Sequence, residues 1–510
     1  EIRLSLVGSE MCIRDRHRAG GSHGDCKSGR ASRLPADTGG EQVSNPKPQK
    51  KWKLYDKSLS HIDTPRGTLT LVSVFLPFLV EMLLTNSMGT VNTLVLSHYS
   101  DDAVASVGAA NQLMGMIFTF YTVISTGASI FISHRLGASS SSRGAWQKDA
   151  ASDAAFTSIF CSLALSLVVG TVLSLSAHRL MEMMQLSGQV LEDAAAYFRI
   201  CISFSFFQAL ISAISAIFRS YGMPKIAVWI SLFMNFMNAV LNVIVIFRPF
   251  ETPLHGVRGI AVTNVISHVA AFVLIVICLL KSSLELNFRK KNLKTLKCIR
   301  NILHIGIPGG ISSLSYSTSQ VVSTSILAVL GTTAISTKIY LSTLFFYVYV
   351  IGMSLGMATS LIIGWMTGAG EYEKAYRLNL QNLRIAVLLN AAGSLLICLF
   401  GSPLLRLFTD NPEILTLARP ILVIDIFVEI GRAFNHIEDN SLRGAGDVIF
   451  SMVVSILSCW TMSILFAYIL GIRLGLGLTG CWIAFMMDEL FRGITFFFRW
   501  RSRKWTLRKV

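Results

Sequence analysis

VNTLVLSHYSDDAVAS (91–106) and VSTSILAVLGTTAIST (322–337) lie over one another without a gap, at an offset of 231 residues. At the same offset Pro77 falls on Pro308, Ser129 on Ser360, and Gly137-Ala138 on Gly368-Ala369. Further on, Arg219-Ser-Tyr-Gly222 matches Arg443-Gly-Ala-Gly446, with the offset now 224. Apolar segments resemble one another cheaply, so no single match decides anything. An ordered series at nearly fixed spacing is the mark of internal duplication. The chain is read as two related halves.

The halves are built of membrane spans. Of 510 residues, 52% are hydrophobic and 15% charged, with a mean hydropathy of +0.56. Soluble domains run nearer a quarter charged, so this chain cannot cover a water-facing surface in the ordinary way. Nine runs are free of Asp, Glu, Lys and Arg over about the length needed to cross ~30 Å of hydrocarbon. They cover roughly 103–133, 154–177, 200–218, 226–247, 259–280, 305–337, 339–370, 385–405 and 448–472. Three more, near 68–97, 414–442 and 475–498, are interrupted by charge. The runs are too long for barrel strands, which alternate over about ten residues. The expected fold is an all-α polytopic membrane protein of about twelve transmembrane helices, in two pseudo-symmetric six-helix bundles.

Charge sets the organisation. Residues 1–60 lack a helical apolar pattern and are rich in Gly, Ser, Arg and Lys. They read as a disordered basic tail, and SLVGSEMCIRDR within it resembles translated adaptor sequence, so the tail is set aside. The lobes are expected at 61–284 and 301–500, with a basic cytoplasmic linker at 285–300 and a basic cytoplasmic tail at 501–510. With the N-terminus inside, the cytoplasmic loops take Arg135, Arg143, Lys148, Arg219, Lys225, Lys374, Arg377, Arg443 and the cluster from Lys281 to Arg300. The opposite loops take only Arg179, Arg248, Arg258, Lys338, Arg406 and Arg473. That asymmetry puts both termini in the cytoplasm of a plasma-membrane protein, for instance in a bacterial inner membrane. The net charge of +16 follows from the same loops and gives no reason to invoke nucleic acid. Nine scattered cysteines, none in a C-x-x-C pair, read as small apolar fillers.

Several motifs resemble the multidrug and toxic compound extrusion (MATE) family of cation-coupled antiporters. They are LPFLVEMLLTNSMGTVNTLVLSHYSDDAVASVG (76–108), GASIFISHRLGA (127–138), FRSYGMPK (218–225) followed by Asn242, GIPGGISS (306–313) and SLRGAGD (441–447). The resemblance covers about 65–505. It implies a V-shaped pair of six-helix lobes that exchange Na⁺ or H⁺ for an outgoing organic substrate. Many members carry Asp where this chain has Asn92, in the cation site of the first lobe. Asn can coordinate Na⁺ through its carbonyl but cannot carry a proton. A second acidic position of the family, in the seventh span, falls on Tyr316.

Ionisable groups inside spans are costly and tend to mark pathways. Asp425, Glu429, Arg432, His436 and Asp439 step by 4, 3, 4 and 3, giving one helical stripe about 21 Å long with Glu438 beside it. The functional reading is an ion path, with Glu429 taking up and releasing the ion and Arg432 as its partner. The plainer one is a fixed Glu–Arg bridge that holds the helix in its bundle. Glu81 and Asn92 are three turns apart on one face, so Glu81 is a candidate for the acid that Asn92 is not. Asn235, Asn238 and Asn242 share a face and offer carbonyls for Na⁺ together with Asn92; interhelical packing bonds would use them as well. Asp488, Glu489 and Arg492 read as a local salt bridge. Phe345, Phe346, Tyr347 and Tyr349 could line a cavity for planar cations or face lipid.

There is no P-loop for nucleotide, no zinc spacing and no cofactor motif. The expected function is export of amphipathic organic compounds in exchange for Na⁺ or H⁺, by a monomer with a small-molecule substrate and the lipid bilayer as its partners. The alternatives are a flippase for a lipid-linked saccharide and a membrane enzyme acting on lipid.

Overall fold

The computed structural model describes residues 61–508, except 65–66, 98, 140–143, 185, 248–255, 283 and 285–294. The 1–60 tail and most of the 285–300 linker therefore lie outside the described residues. A short antiparallel hairpin, β1 (His61–Thr64) and β2 (Gly67–Thr70), precedes the bundle. The rest is helical, as expected.

The first half holds α1 (Leu71–Ser97), α2 (Asp101–Ala138), α3 (Gly144–Leu175), a short α4 (Ala177–Met183), α5 (Gly188–Ser203), α6 (Phe206–Ser220), α7 (Pro224–Phe247) and α8 (Gly256–Lys281). The second holds α9 (Thr295–Val329), α10 (Thr332–Gly368), α11 (Tyr372–Leu399), a short α12 (Gly401–Arg406), α13 (Pro412–Gly444), α14 (Val448–Ser458) and α15 (Gly477–Arg501). Two π-helical segments, Cys459–Leu465 and Tyr468–Arg473, prolong α14 across the membrane. With α5 and α6 taken as one pass bent by 46°, each half makes six passes. Seven helices, or eight with the bent pair, are long and apolar enough to cross a membrane by composition alone. Of the other long helices, α9, α13 and α15 carry buried polar side chains, and the stretch Leu71–Thr85 of α1 is apolar but shorter.

Both halves pack in the same pattern. The pairs α1·α7, α2·α6, α2·α3 and α6·α8 recur as α9·α14, α10·α13, α10·α11 and α13·α15. The halves meet where α2 lies against α9 and α10, and α1 against α10. Glycine makes that approach possible. A Cβ on Gly306 would run into the Val123 carbonyl, and one on Gly127 into that of Ile302. Small residues let helix backbones touch where lipid supplies no hydrophobic drive for association.

The repeated Arg-x-x-Gly also has a local cause. Gly222 and Gly446 have φ of 80° and 89°, and each follows the end of a helix. Met223 N–H then donates to Phe218 O at 2.9 Å, and Asp447 N–H to Leu442 O at 2.8 Å. This glycine-terminated cap satisfies carbonyls that a helix end leaves open.

Residues 295–300 begin α9 rather than belonging to the linker. The basic C-terminal tail is folded too, through Arg508. Trp505 stacks on Trp500 at 4.1 Å, while Arg499 and Arg508 both bind Asp447, at 2.7 and 3.1 Å.

Candidate functional site

The second half brings its charges together between α13 and α15. Arg432 Nη1 donates to Glu429 Oε1 at 2.6 Å, and its Nε lies 3.7 Å from Glu489 Oε1. Arg492 Nη2 reaches Asp488 Oδ2 at 2.6 Å and Glu489 Oε1 at 3.1 Å. Glu489 thus bridges two guanidiniums, and its Oε2 accepts from Asn435 at 2.7 Å. Asn390 on α11 donates to Glu429 Oε2 at 3.1 Å, and Ser458 to Asp488 Oδ1 at 2.6 Å. Asp425 differs from the rest. Its Oδ1 accepts from the Trp482 indole at 2.7 Å, while its buried Oδ2 has no hydrogen-bond partner.

Charge counting gives this cluster its chemistry. Asp425, Glu429, Asp488 and Glu489 face two guanidiniums, so two negative charges are in excess when all are ionised. Burying unpaired charge costs several kcal/mol, which favours uptake of a cation or a proton. A cavity of about 200 Å³ opens on the cluster and is lined by Asp425, Arg432, Asp488, Glu489 and Tyr316. Aromatic rings of Phe345, Phe346, Tyr349, Trp482 and Phe485 form much of its wall. Arg432 lies over the Tyr349 ring at 5.8 Å. Lys338 also lines the cavity, with Nζ 3.1 Å from Thr324 Oγ1. Lys338, expected in an outer loop, belongs to the second turn of α10.

The first half has a second cavity, of about 170 Å³, with a different lining. Asn242 Nδ2 donates to Asn92 Oδ1 at 2.9 Å and to Asn238 Oδ1 at 3.1 Å. Asn242 Oδ1 accepts from Thr263, and Asn238 donates to Asn264. Asn264 donates in turn to Tyr197 OH at 2.6 Å, and Tyr197 to Asn111 at 3.2 Å. The chain of amides ties α1, α7, α8, α5 and α2 together. No carboxylate lines this cavity among the described residues.

The MatE family profile matches the chain twice, over residues 77–244 and 308–469. The chain belongs to the MatE family. Its two matches begin 231 residues apart, the offset of the internal repeat. The uncharacterised transporter YisQ of Bacillus subtilis is 36% identical over 439 residues, covering 86% of this chain and 95% of its own length. A probable multidrug resistance protein NorM of Thermotoga maritima is 25% identical, covering 90% and 98%. Among solved structures, MATE in a bent conformation has a TM-score of 0.78 at 22% identity, covering 85% of this chain and 94% of that one. A MOP-superfamily transporter from Pyrococcus furiosus has a TM-score of 0.77 at 22% identity, covering 86% and 96%. This MatE chain is therefore a multi-pass membrane protein of a transporter family.

Within that MatE frame the sequence-predicted residues separate into groups. The α13 stripe does not act as one line. Asp425, Glu429 and Arg432 join Asp488, Glu489 and Arg492, so the supposed local bridge on α15 is half of the main cluster. Asp439 instead binds Arg443 at 2.8 Å and Ser451. Glu438 is fully buried beside Asn379, which donates to it at 3.3 Å. His436 packs edge-on to Tyr349 at 5.1 Å, and its Nε2 is buried without a hydrogen-bond partner. Glu81 is not brought to Asn92; both its oxygens lie 3.0 Å from Arg219 Nη1. Asn235, Asn238 and Asn92 do line one cavity, but the carbonyls of Asn92, Asn238 and Asn242 already accept hydrogen bonds. Tyr347 is 62% exposed and faces away from the cavity that its neighbours line. Asn390, Asn435 and Trp482 were missed. Each is a hydrogen-bonding residue in or beside an apolar run, yet nothing in the sequence says which charge it meets.

Proposed function

We propose that this chain is a secondary antiporter that exports amphipathic organic compounds in exchange for Na⁺ or H⁺. The observation that carries this is Asp425: a buried carboxylate with one oxygen unpartnered, on a cavity wall, in a cluster with excess negative charge. A cation or proton that satisfies Asp425 competes with the cationic end of a substrate in the same cavity, and that competition is the coupling. Glu429, held by Arg432 and Asn390, sets the charge balance around it. The aromatic wall takes the apolar body of the substrate, and Lys338 gives the cavity a cationic end for an acidic or polar group. In the first half the amide network replaces a coupling acid, so Asn92 and its partners hold helices together.

Exchange proceeds by alternating access of two six-helix lobes, 61–284 and 301–500. The protein works as a monomer in the plasma membrane with both termini in the cytoplasm. The multidrug resistance names carried by the NorM relatives support this reading of the substrate.

The test is ethidium export from proteoliposomes under a Na⁺ or a proton gradient imposed separately. One gradient is expected to drive export in wild type and in Glu81→Gln. Asp425→Asn is expected to lose gradient-driven export while still binding the dye. Full export by Asp425→Asn, or no export under either gradient, defeats the proposal.

A further inference from the structure

Away from both cavities, the internal repeat relates two of the hydrogen bonds that cross between the halves. His134 Nε2 on α2 lies 2.7 Å from the carbonyl oxygen of Gly444, the last residue of α13. Trp365 Nε1 on α10 donates to the carbonyl oxygen of Ser220, the last residue of α6, at 2.9 Å. His134 and Trp365 are 231 residues apart, and Ser220 and Gly444 are 224 apart. Those are the two offsets of the duplication. The same bond is made twice, once in each direction, by equivalent positions whose side chains differ.

The acceptors suit the purpose. Carbonyls in the last turn of a helix have no intrahelical donor. The residue four on from Ser220 is Pro224, which has no N–H to offer. The neighbouring contacts show how closely the halves approach here. A Cβ on Gly137 would strike the Trp365 carbonyl, and one on Gly368 the His134 carbonyl. His134 is 8% exposed, Trp365 2% and Ser220 0%. Thr367 Oγ1, 3.2 Å from His134 Nε2, lies beside the first bond.

We infer that His134 and Trp365 form a paired latch that closes this end of the interface between the halves. The latch lies where α2, α6, α10 and α13 all end, the proposed cytoplasmic side. It rests on the alternating-access reading above. When this side opens, both side chains must leave the opposite half together, because each is carried by one lobe and held by the other. They are positioning residues: they touch no substrate and set how far the closed form is favoured.

Hydrogen–deuterium exchange on the purified full chain tests the latch without any substrate. Trp365→Phe keeps an aromatic ring and removes the donor; His134→Leu removes the other, and His134→Gln keeps an N–H. Trp365→Phe and His134→Leu are each expected to raise exchange about fivefold in 134–138 and in 365–369 alike, the effect of losing one net hydrogen bond. His134→Gln should stay near wild type. Exchange that rises only beside the substituted residue, or not at all, overturns the latch. A second measurement uses cysteines at Ser133 and Gly364, where a Gly364 Cβ would lie 3.0 Å from that of Ser133. Their disulfide should abolish ethidium export, and a reductant should restore it. Export that persists through the closed disulfide defeats alternating access here, while the exchange result still decides the latch.

Discussion

Replacing Arg432 by Met removes the guanidinium that sits between Glu429 and Glu489. Glu429 is fully buried and keeps only the Asn390 amide. The cluster then holds four carboxylates against one guanidinium. Breaking one side of a buried ion pair costs about 3–5 kcal/mol, because the remaining charge is left without compensation. Replacing both partners by uncharged groups of similar size is nearly neutral by the same reasoning. Arg432→Met is therefore expected to destabilise the protein by about 3–5 kcal/mol, and Arg432→Met with Glu429→Gln by about 1–2 kcal/mol. Denaturation in detergent, followed by tryptophan fluorescence through Trp482 nearby, reads both. If the double variant is no more stable than the single one, Arg432 does not act mainly on Glu429. If the single variant equals wild type, the charge accounting for the cluster is wrong.

Other consequences can be checked in the same preparation. Gly368→Val places a branched side chain against the His134 carbonyl, and overpacking of this kind costs about 1–3 kcal/mol; it should lower the unfolding midpoint, whereas Gly108→Val, in open space, should not. Trp482→Phe removes the indole hydrogen bond to Asp425 Oδ1. Losing a hydrogen bond to a charged group is worth about 1.5–3 kcal/mol, so the coupling-ion concentration for half-maximal export should shift by roughly 10-fold or more, while Trp460→Phe, which bonds only Ser315, leaves it unchanged. Gly446→Ala strains a left-handed helix cap and is expected to cost about 1 kcal/mol in the same denaturation assay; an unchanged midpoint would contradict the cap.

Much of the fold was legible because lipid imposes a simple rule on spans: they must be long and apolar. The repeat marks the two halves, and the two family-profile matches begin at Pro77 and Pro308, the same offset. The bend at Phe204-Ser205 and the π-helical turns after Ser458 were not legible. No proline or charge marks either place. The site was legible in part. Helical spacing puts Asp425, Glu429 and Arg432 on one face, since periodicity on one helix is local information. It also carries the line on to Asp439, which binds Arg443 at the end of α13 and Ser451 on α14. Which helix supplies the opposite charges is tertiary information. For that reason the α15 cluster looked self-contained, and Glu81 looked free for Asn92 when Arg219 holds it.

The most direct test of the account is ion release on substrate binding. Purified wild-type protein in weakly buffered detergent is mixed with ethidium, and proton and Na⁺ release are followed with a pH dye and a sodium electrode. The account predicts release of one of these ions from wild type, and none from Asp425→Asn with its dye binding intact. Equal release from Asp425→Asn, or dye binding to wild type with no ion released, would contradict it.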